Sequence, residues 1–202
     1  MIINIIGTSG SGKSTLARKI MAFYDRVTPL YVADGTRKRP IGYRCYRDDG
    51  RTLEVIGHYE TACGGCDTIA TKQFDTVYAR IQAAVERDFD VLYEGLLLSA
   101  ESRRRVELHE AYPGEVILVH LNTPLETCVE SIMQRRADKK NVAVEDLPEP
   151  AETVLKNATS KFKGAATSAR KFREAGGTVF ECDRDQAETV ITETLELDGV
   201  HQ

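Results

Sequence analysis

Nowhere in these 202 residues is there an uninterrupted apolar run of the ~18 or more residues that a membrane-spanning helix needs. The first apolar stretch begins at Ile2, which leaves no room for a secretory leader, so a cytoplasmic protein is expected. Cysteine is sparse and odd in number. Cys45, Cys63, Cys66, Cys128 and Cys182 are mostly scattered, which suits reduced thiols better than a disulfide framework. An excess of positive charge is missing too. The net charge of −4 argues against a globally basic nucleic-acid binder and leaves room for local basic grooves. Internal repeats and low-complexity segments are absent.

What the chain does have is ordinary for a globular domain, with 42% hydrophobic and 29% charged residues. Its length suits one α/β domain spanning 1–202, with a substrate-side insert at 35–67 and a lid-like segment at 135–150.

The most informative stretch comes first. Ile2 to Ile6 reads as a short buried strand, and Thr15 onward as a helix. Between them Gly7-Thr8-Ser9-Gly10-Ser11-Gly12-Lys13-Ser14 fits G-x-x-x-x-G-K-[ST] at every fixed position. Such a loop, with Thr15 opening the helix behind it, aims backbone N–H groups and a helix N-terminus at a phosphate chain. Lys13 would reach the β- and γ-phosphates, and the Ser14 hydroxyl would hold Mg²⁺. A nucleoside triphosphate is therefore expected, ATP in the first instance with GTP left open.

Further along, helices are expected at 13–24, 68–87, 101–112, 124–136, 151–175 and 186–197. Gly164 is a candidate break in the fifth of these. Strands are expected at Leu30–Ala33, Val91–Tyr93, Glu115–Leu121 and Thr178–Cys182. With the first strand they make a mainly parallel, five-stranded, doubly wound sheet of the phosphate-loop NTPase type, its ligands at the carboxyl ends of the strands. The insert carries Arg37, Lys38, Arg39, Arg44, Arg47 and Arg51, and a hairpin turning at Asp48-Asp49-Gly50-Arg51.

Phosphoryl transfer to an acceptor fits these features better than GTPase or motor chemistry. There is no N-K-x-D base-reading motif, and the strand at 91–93 runs into Glu94-Gly95 in place of Asp-Glu. Asp34 is expected at the carboxyl end of the second strand, beside the phosphate loop, as the base that accepts a hydroxyl proton. Its alternative is a turn-capping carboxylate. Arg37 would bind an acceptor phosphate or neutralise the transferring group, unless it is simply a solvated loop residue. Arg135 and Arg136, expected to end a helix just before a mobile loop at 137–150, would supply a lid cation. Glu94 would hold Mg²⁺ through water or pair with a lysine.

The least generic segment is 57–69, GHYETACGGCDTI. Cys63 and Cys66 form C-x-x-C with His58 nearby, yet zinc would need a fourth ligand and no second C-x-x-C exists. A tight turn at Gly64-Gly65 fits better, at the mouth of an acceptor pocket, with Asp67 capping the following helix and Tyr59 either stacking on a base or simply packed.

Asp34-Gly35-Thr36-Arg37 and the later arginines resemble the polynucleotide-kinase group of phosphate-loop kinases. Segment 57–69, with the phosphate loop and VLYEGLLLS at 91–99, is similar to the phage-encoded 5-hydroxymethyluracil DNA kinases. That resemblance implies ATP-dependent phosphorylation of the hydroxymethyl group of 5-hydroxymethyl-deoxyuridine within DNA. It further implies a step in thymidine hypermodification that shields phage DNA from host nucleases, in the host cytoplasm. The alternatives are a kinase of free nucleotides or nucleosides and a nucleotide-binding regulatory or packaging partner.

Overall fold

The structure is a computed structural model, and it describes residues 1–32, 37–69, 74–148 and 150–197. Strand β1 (Ile2–Ile6) is buried at every residue, as a strand covered on both faces must be. It leads through the phosphate loop into α1 (Lys13–Met21), followed by β2 (Arg26–Leu30), β3 (Gly42–Tyr46) and β4 (Thr52–Ile56). Then come α2 (Phe74–Val85), β5 (Asp90–Glu94), α3 (Leu96–Ala100), α4 (Arg103–Ala111) and β6 (Val116–Leu121). The chain closes with α5 (Leu125–Lys140), α6 (Ala151–Glu174), β7 (Thr178–Cys182) and α7 (Arg184–Thr194).

The strands form one seven-stranded sheet in the order β2-β3-β4-β5-β1-β6-β7. From β4 to β7 neighbours run parallel, whereas β2, β3 and β4 form an antiparallel meander. The side chains of Ile3 and Ile5 join α1 and α7 on one face. Those of Ile2 and Ile6 join α2, α4 and α6 on the other, giving the helix–sheet–helix sandwich.

The parallel part has the five strands expected, but not the same five. The second strand lies at Arg26–Leu30 rather than Leu30–Ala33, and it sits at the sheet edge, four strands from β1. Its sequence RVTPL is mostly exposed and contains Pro29, which lacks the N–H that an interior strand must donate. The interior place falls to β4, whose TLEVI is buried along most of its length. The strand ends flanking the phosphate loop therefore belong to β5 and β6.

Helix boundaries shift as well. Helix α5 runs on to Lys140 and is closed by Asn141 in the left-handed region, so Arg135 and Arg136 lie inside it rather than at its end. The stretch expected to be loop at 137–150 thus begins as helix and includes a 3₁₀ turn at Val144–Asp146. The helix expected at 101–112 is α4, and the separate short α3 precedes it. Gly164 does not break α6, because a β-carbon there would meet only Ala100 Cβ at an ordinary 3.6 Å. Among the described residues no helix is long and apolar enough to cross a membrane.

Candidate active site

The phosphate loop joins the carboxyl end of β1 to the N-terminus of α1, where the first-turn N–H groups lack helical acceptors. Its path requires Gly10, whose φ is +81° and whose Cα abuts the Cys128 carbonyl at the start of α5. Three side chains, one of them the loop's own, then fasten the loop to its surroundings. Thr8 Oγ1 donates to Ala158 O of α6 at 3.0 Å. Thr123 Oγ1 donates to Ser11 O at 3.0 Å. Arg184, the first residue of α7, donates from Nε to Ser11 O at 2.9 Å and from Nη2 to Gly10 O at 3.1 Å.

Inside the loop Lys13 is only 6% exposed, and its Nζ donates to Gly7 O and Thr8 O, both at 2.9 Å. Burial pushes the Lys13 ammonium below its ordinary pKa, an effect opposed by the negative charges of Glu94 and then Asp67. Glu94, at the carboxyl end of β5, is 1% exposed and accepts from Ser14 Oγ at 2.7 Å. Its pKa is raised by burial, against the pull of Lys13 and the Ser14 hydrogen bond. An ammonium and a carboxylate withdrawn from water beside an open loop amount to a charged site that a polar ligand would complete.

The cleft in front of these groups has a volume of ≈380 Å³. Ser9, Thr15, Cys63, Gly64, Asp67 and Arg135 are among its walls. Segment 57–69 reaches it through a turn closed by reciprocal backbone bonds between His58 and Gly65, at 3.2 and 2.9 Å. The turn rests directly on Ser14 and Glu94. A β-carbon on Gly64 would stand 3.3 Å from Ser14 Cβ, and one on Gly65 would collide with the Glu94 carboxylate. Arg18 of α1 braces it, donating to Ser14 O (3.2 Å), Tyr59 O (3.0 Å) and Thr61 O.

The chain matches the AAA domain family over residues 2–163. A 5-hmdU DNA kinase of Pseudomonas phage PaMx11 is 44% identical over 195 residues, covering 96% of this chain and 97% of that one. The chain belongs to the 5-hmdU DNA kinases. Two further members compare less closely. That of Pseudomonas phage M6 is 35% identical over 143 residues (68% of this chain, 73% of that one), and that of Delftia phage PhiW-14 is 27% identical over 190 (87% and 65%).

In this 5-hmdU DNA kinase fold the expected site residues do not all converge. Lys13, Ser14, Glu94, Asp67, Gly64 and Arg135 converge on the cleft, Arg135 through a 3.4 Å contact from Nη2 to Ser9 Oγ. Arg136 faces an adjoining cleft instead. Arg37 donates to Arg39 O and Pro40 O of its own loop and does not line the cleft. Asp34 lies outside the described residues. Among the described strands, the neighbours of β1 are β5 and β6, and β2 is at the edge.

The packing of segment 57–69 bears on two expectations. Asp67, expected as a cap for the helix that follows it in sequence, has partners elsewhere in the fold. Its carboxylate accepts from Leu96 N–H (2.6 Å) and Leu97 N–H (3.1 Å), so it caps α3 across space. Tyr59 does not offer a free face to a base. It is 5% exposed, with its ring 5.9 Å from that of Tyr43 and the Arg18 guanidinium 5.9 Å from its centroid. As for zinc, no group of three or more His, Cys, Asp or Glu side chains is placed to hold a metal among the described residues. The Cys66 thiol is buried against Ile56 O, and Cys63 is exposed. Mg²⁺ makes a smaller demand, because it keeps several waters and takes one or two protein oxygens beside the substrate phosphates. The adjacent Ser14 hydroxyl and Glu94 carboxylate are hard oxygen donors of that kind.

Arg18 and Arg184 were not legible as site residues in the sequence. Arg184 carried one signal, its position just past the carboxyl end of the last parallel strand, where ligands of such sheets gather.

Proposed function

We propose that this chain transfers the γ-phosphoryl group of ATP to the hydroxymethyl oxygen of 5-hydroxymethyl-deoxyuridine in DNA, within a single domain. The names of its relatives support the acceptor, and one observation carries the chemistry. The phosphate loop, the Ser14–Glu94 pair, Arg135 and the turn at Gly64 share the walls of one cleft.

In this reading the acceptor oxygen attacks the γ-phosphorus, the bond from that phosphorus to the bridging oxygen of ADP breaks, and the hydroxyl proton passes to a carboxylate. Asp34 is assigned that base role, with Arg37 on the acceptor side. Lys13 and Arg135 neutralise charge that spreads over the phosphoryl oxygens, with Arg136 close by on α5. Ser14 and Glu94 would hold Mg²⁺, which draws charge from the phosphates when bound. The loop from Gly7 to Thr15 cradles the donor, and Gly64, Gly65 and Asp67 shape the acceptor side. The product phosphoester is a good leaving group, which suits a step in thymidine hypermodification that protects phage DNA in the host cytoplasm.

The test is an incubation with γ-labelled ATP, Mg²⁺ and either an oligonucleotide containing one 5-hydroxymethyluracil or the free nucleotide. Label on the oligonucleotide, lost in Asp34→Asn with ATP binding retained, is the expected result. Label confined to the free nucleotide would show a mononucleotide kinase, and unchanged turnover in Asp34→Asn would remove Asp34 from the base role.

A further inference from the structure

A second cleft of ≈170 Å³ opens beside the first, between α5, α6 and the start of α3. The two clefts share Ser9, Leu96 and Arg135 as walls, so they meet beside the phosphate loop. The second has its own chemistry. Arg135 and Arg136 of α5 face it from one side, and Lys161 of α6 from the other. Its floor is apolar, built from Ile132, Val154 and Ala158, which pack as a small cluster separate from the two main cores. No acidic side chain is among the described residues that line it, in a chain whose net charge is −4.

A donor nucleotide does not account for this surface, because its phosphate chain follows the loop from Gly7 to Ser14. A free nucleotide acceptor would fill the first cleft and stop. A nucleotide inside a strand differs in one respect, since a phosphodiester and a further nucleoside continue from it. Cations on opposing walls suit a diester that must be positioned without sequence readout, and an apolar floor suits the sugar and base beyond. Resting on the DNA-kinase reading above, we propose that the α5–α6 cleft binds the phosphodiester and nucleoside adjoining the target, and so selects polymer over mononucleotide. Lys161 is the residue that reports on it. It is exposed and faces the cleft from α6.

The experiment uses oligonucleotides with one 5-hydroxymethyluracil, in which the linkage on each side in turn is a neutral methylphosphonate. With the wild-type chain one of the two replacements should raise the oligonucleotide KM by ~10-fold, the value of a charge-assisted contact. Lys161→Gln should raise the KM of the all-phosphate strand to a similar extent, lose its sensitivity to that replacement, and lower the salt slope by ~1. The KM for ATP should not change. If the effects of Lys161→Gln and of the methylphosphonate simply multiply, or if the KM for ATP moves instead, the cleft assignment is overturned. Absence of label from the wild-type oligonucleotide overturns the assignment together with the kinase reading, whereas label with multiplying effects removes the assignment alone.

Discussion

The Cα of Gly65 lies against the carboxylate of Glu94, with no space for a β-carbon between them. Gly65 also sits at φ +78°, where an L side chain is strained. The turn at Gly64-Gly65 and the Ser14–Glu94 pair therefore cannot move independently. Gly65→Ala should displace the Glu94 carboxylate and lower kcat by ~10²-fold, the cost of a misplacement near 1 Å. It should cost only about 1–3 kcal/mol in stability. Steady-state transfer at several Mg²⁺ concentrations, beside a urea titration, separates the two, and wild-type kcat in a folded Gly65→Ala chain would refute the coupling.

Lys13 and Glu94 shift each other's titration, each partly offsetting the burial of the other. Lys13→Met leaves the carboxylate without its strongest opposing charge. It should destabilise the chain by about 1–3 kcal/mol and lower transfer by ~10²–10³-fold. Adding Glu94→Gln should restore stability and leave transfer lost. A denaturation series over the four chains of the cycle checks this, and additive stability changes would show that the charges do not communicate.

Arg105 is fully buried, yet the acceptors of its guanidinium are neutral. Nε donates to Asn4 Oδ1 (2.8 Å), Nη1 to Ser168 Oγ (2.6 Å) and Nη2 to Leu98 O (2.8 Å). One side chain thus pins β1, α3 and α6 behind the phosphate loop. Arg105→Ala should remove about 3–5 kcal/mol, through the cavity and the unpaired acceptors together. Arg105→Met, which refills part of the volume, should cost less. Equal urea midpoints for the two variants would argue that packing contributes nothing here.

His120 of β6 is buried, and among the described residues neither ring nitrogen has a hydrogen-bond partner. Burial lowers its pKa below the ordinary value, with Glu181 acting against the shift and Arg173 with it. The unfolded chain therefore takes up a proton near pH ~6.5 that the folded chain refuses, and stability must fall as pH drops through that value. Above it the group contributes no pH dependence. Between about pH 7.5 and about pH 5.5 the wild-type unfolding free energy should fall more steeply than that of His120→Leu, by at most ~1.4 kcal/mol per pH unit. Parallel profiles would show that the folded ring takes up its proton as readily as the unfolded one.

How much of this was legible in advance follows the range of each interaction. The phosphate loop was readable because its chemistry is local: eight consecutive residues set the turn, the cation and the hydroxyl. The hairpin at 42–56 was readable from Asp48-Asp49-Gly50 between two apolar runs. The strand order was not, since Tyr31-Val32-Ala33 looks as strand-like as Thr52–Ile56 and only sheet pairing decides which lies inside. Asp67 was legible as a cap, but its role at α3 was not, because those partners are 29 and 30 residues away. Arg105 and Arg184 act across still longer separations, and no local pattern marks a basic residue as one that will end up buried or bracing a loop.

Arg18 holds three backbone carbonyls, one in α1 behind the phosphate loop and two in the turn between His58 and Gly65. The turn is thus preorganised. Its loss of conformational freedom is met when the protein folds rather than when substrate arrives, so binding energy from the substrate remains for orienting the hydroxyl. A chain in which Arg18 let go would still own every catalytic group, and would have to assemble them anew at each turnover.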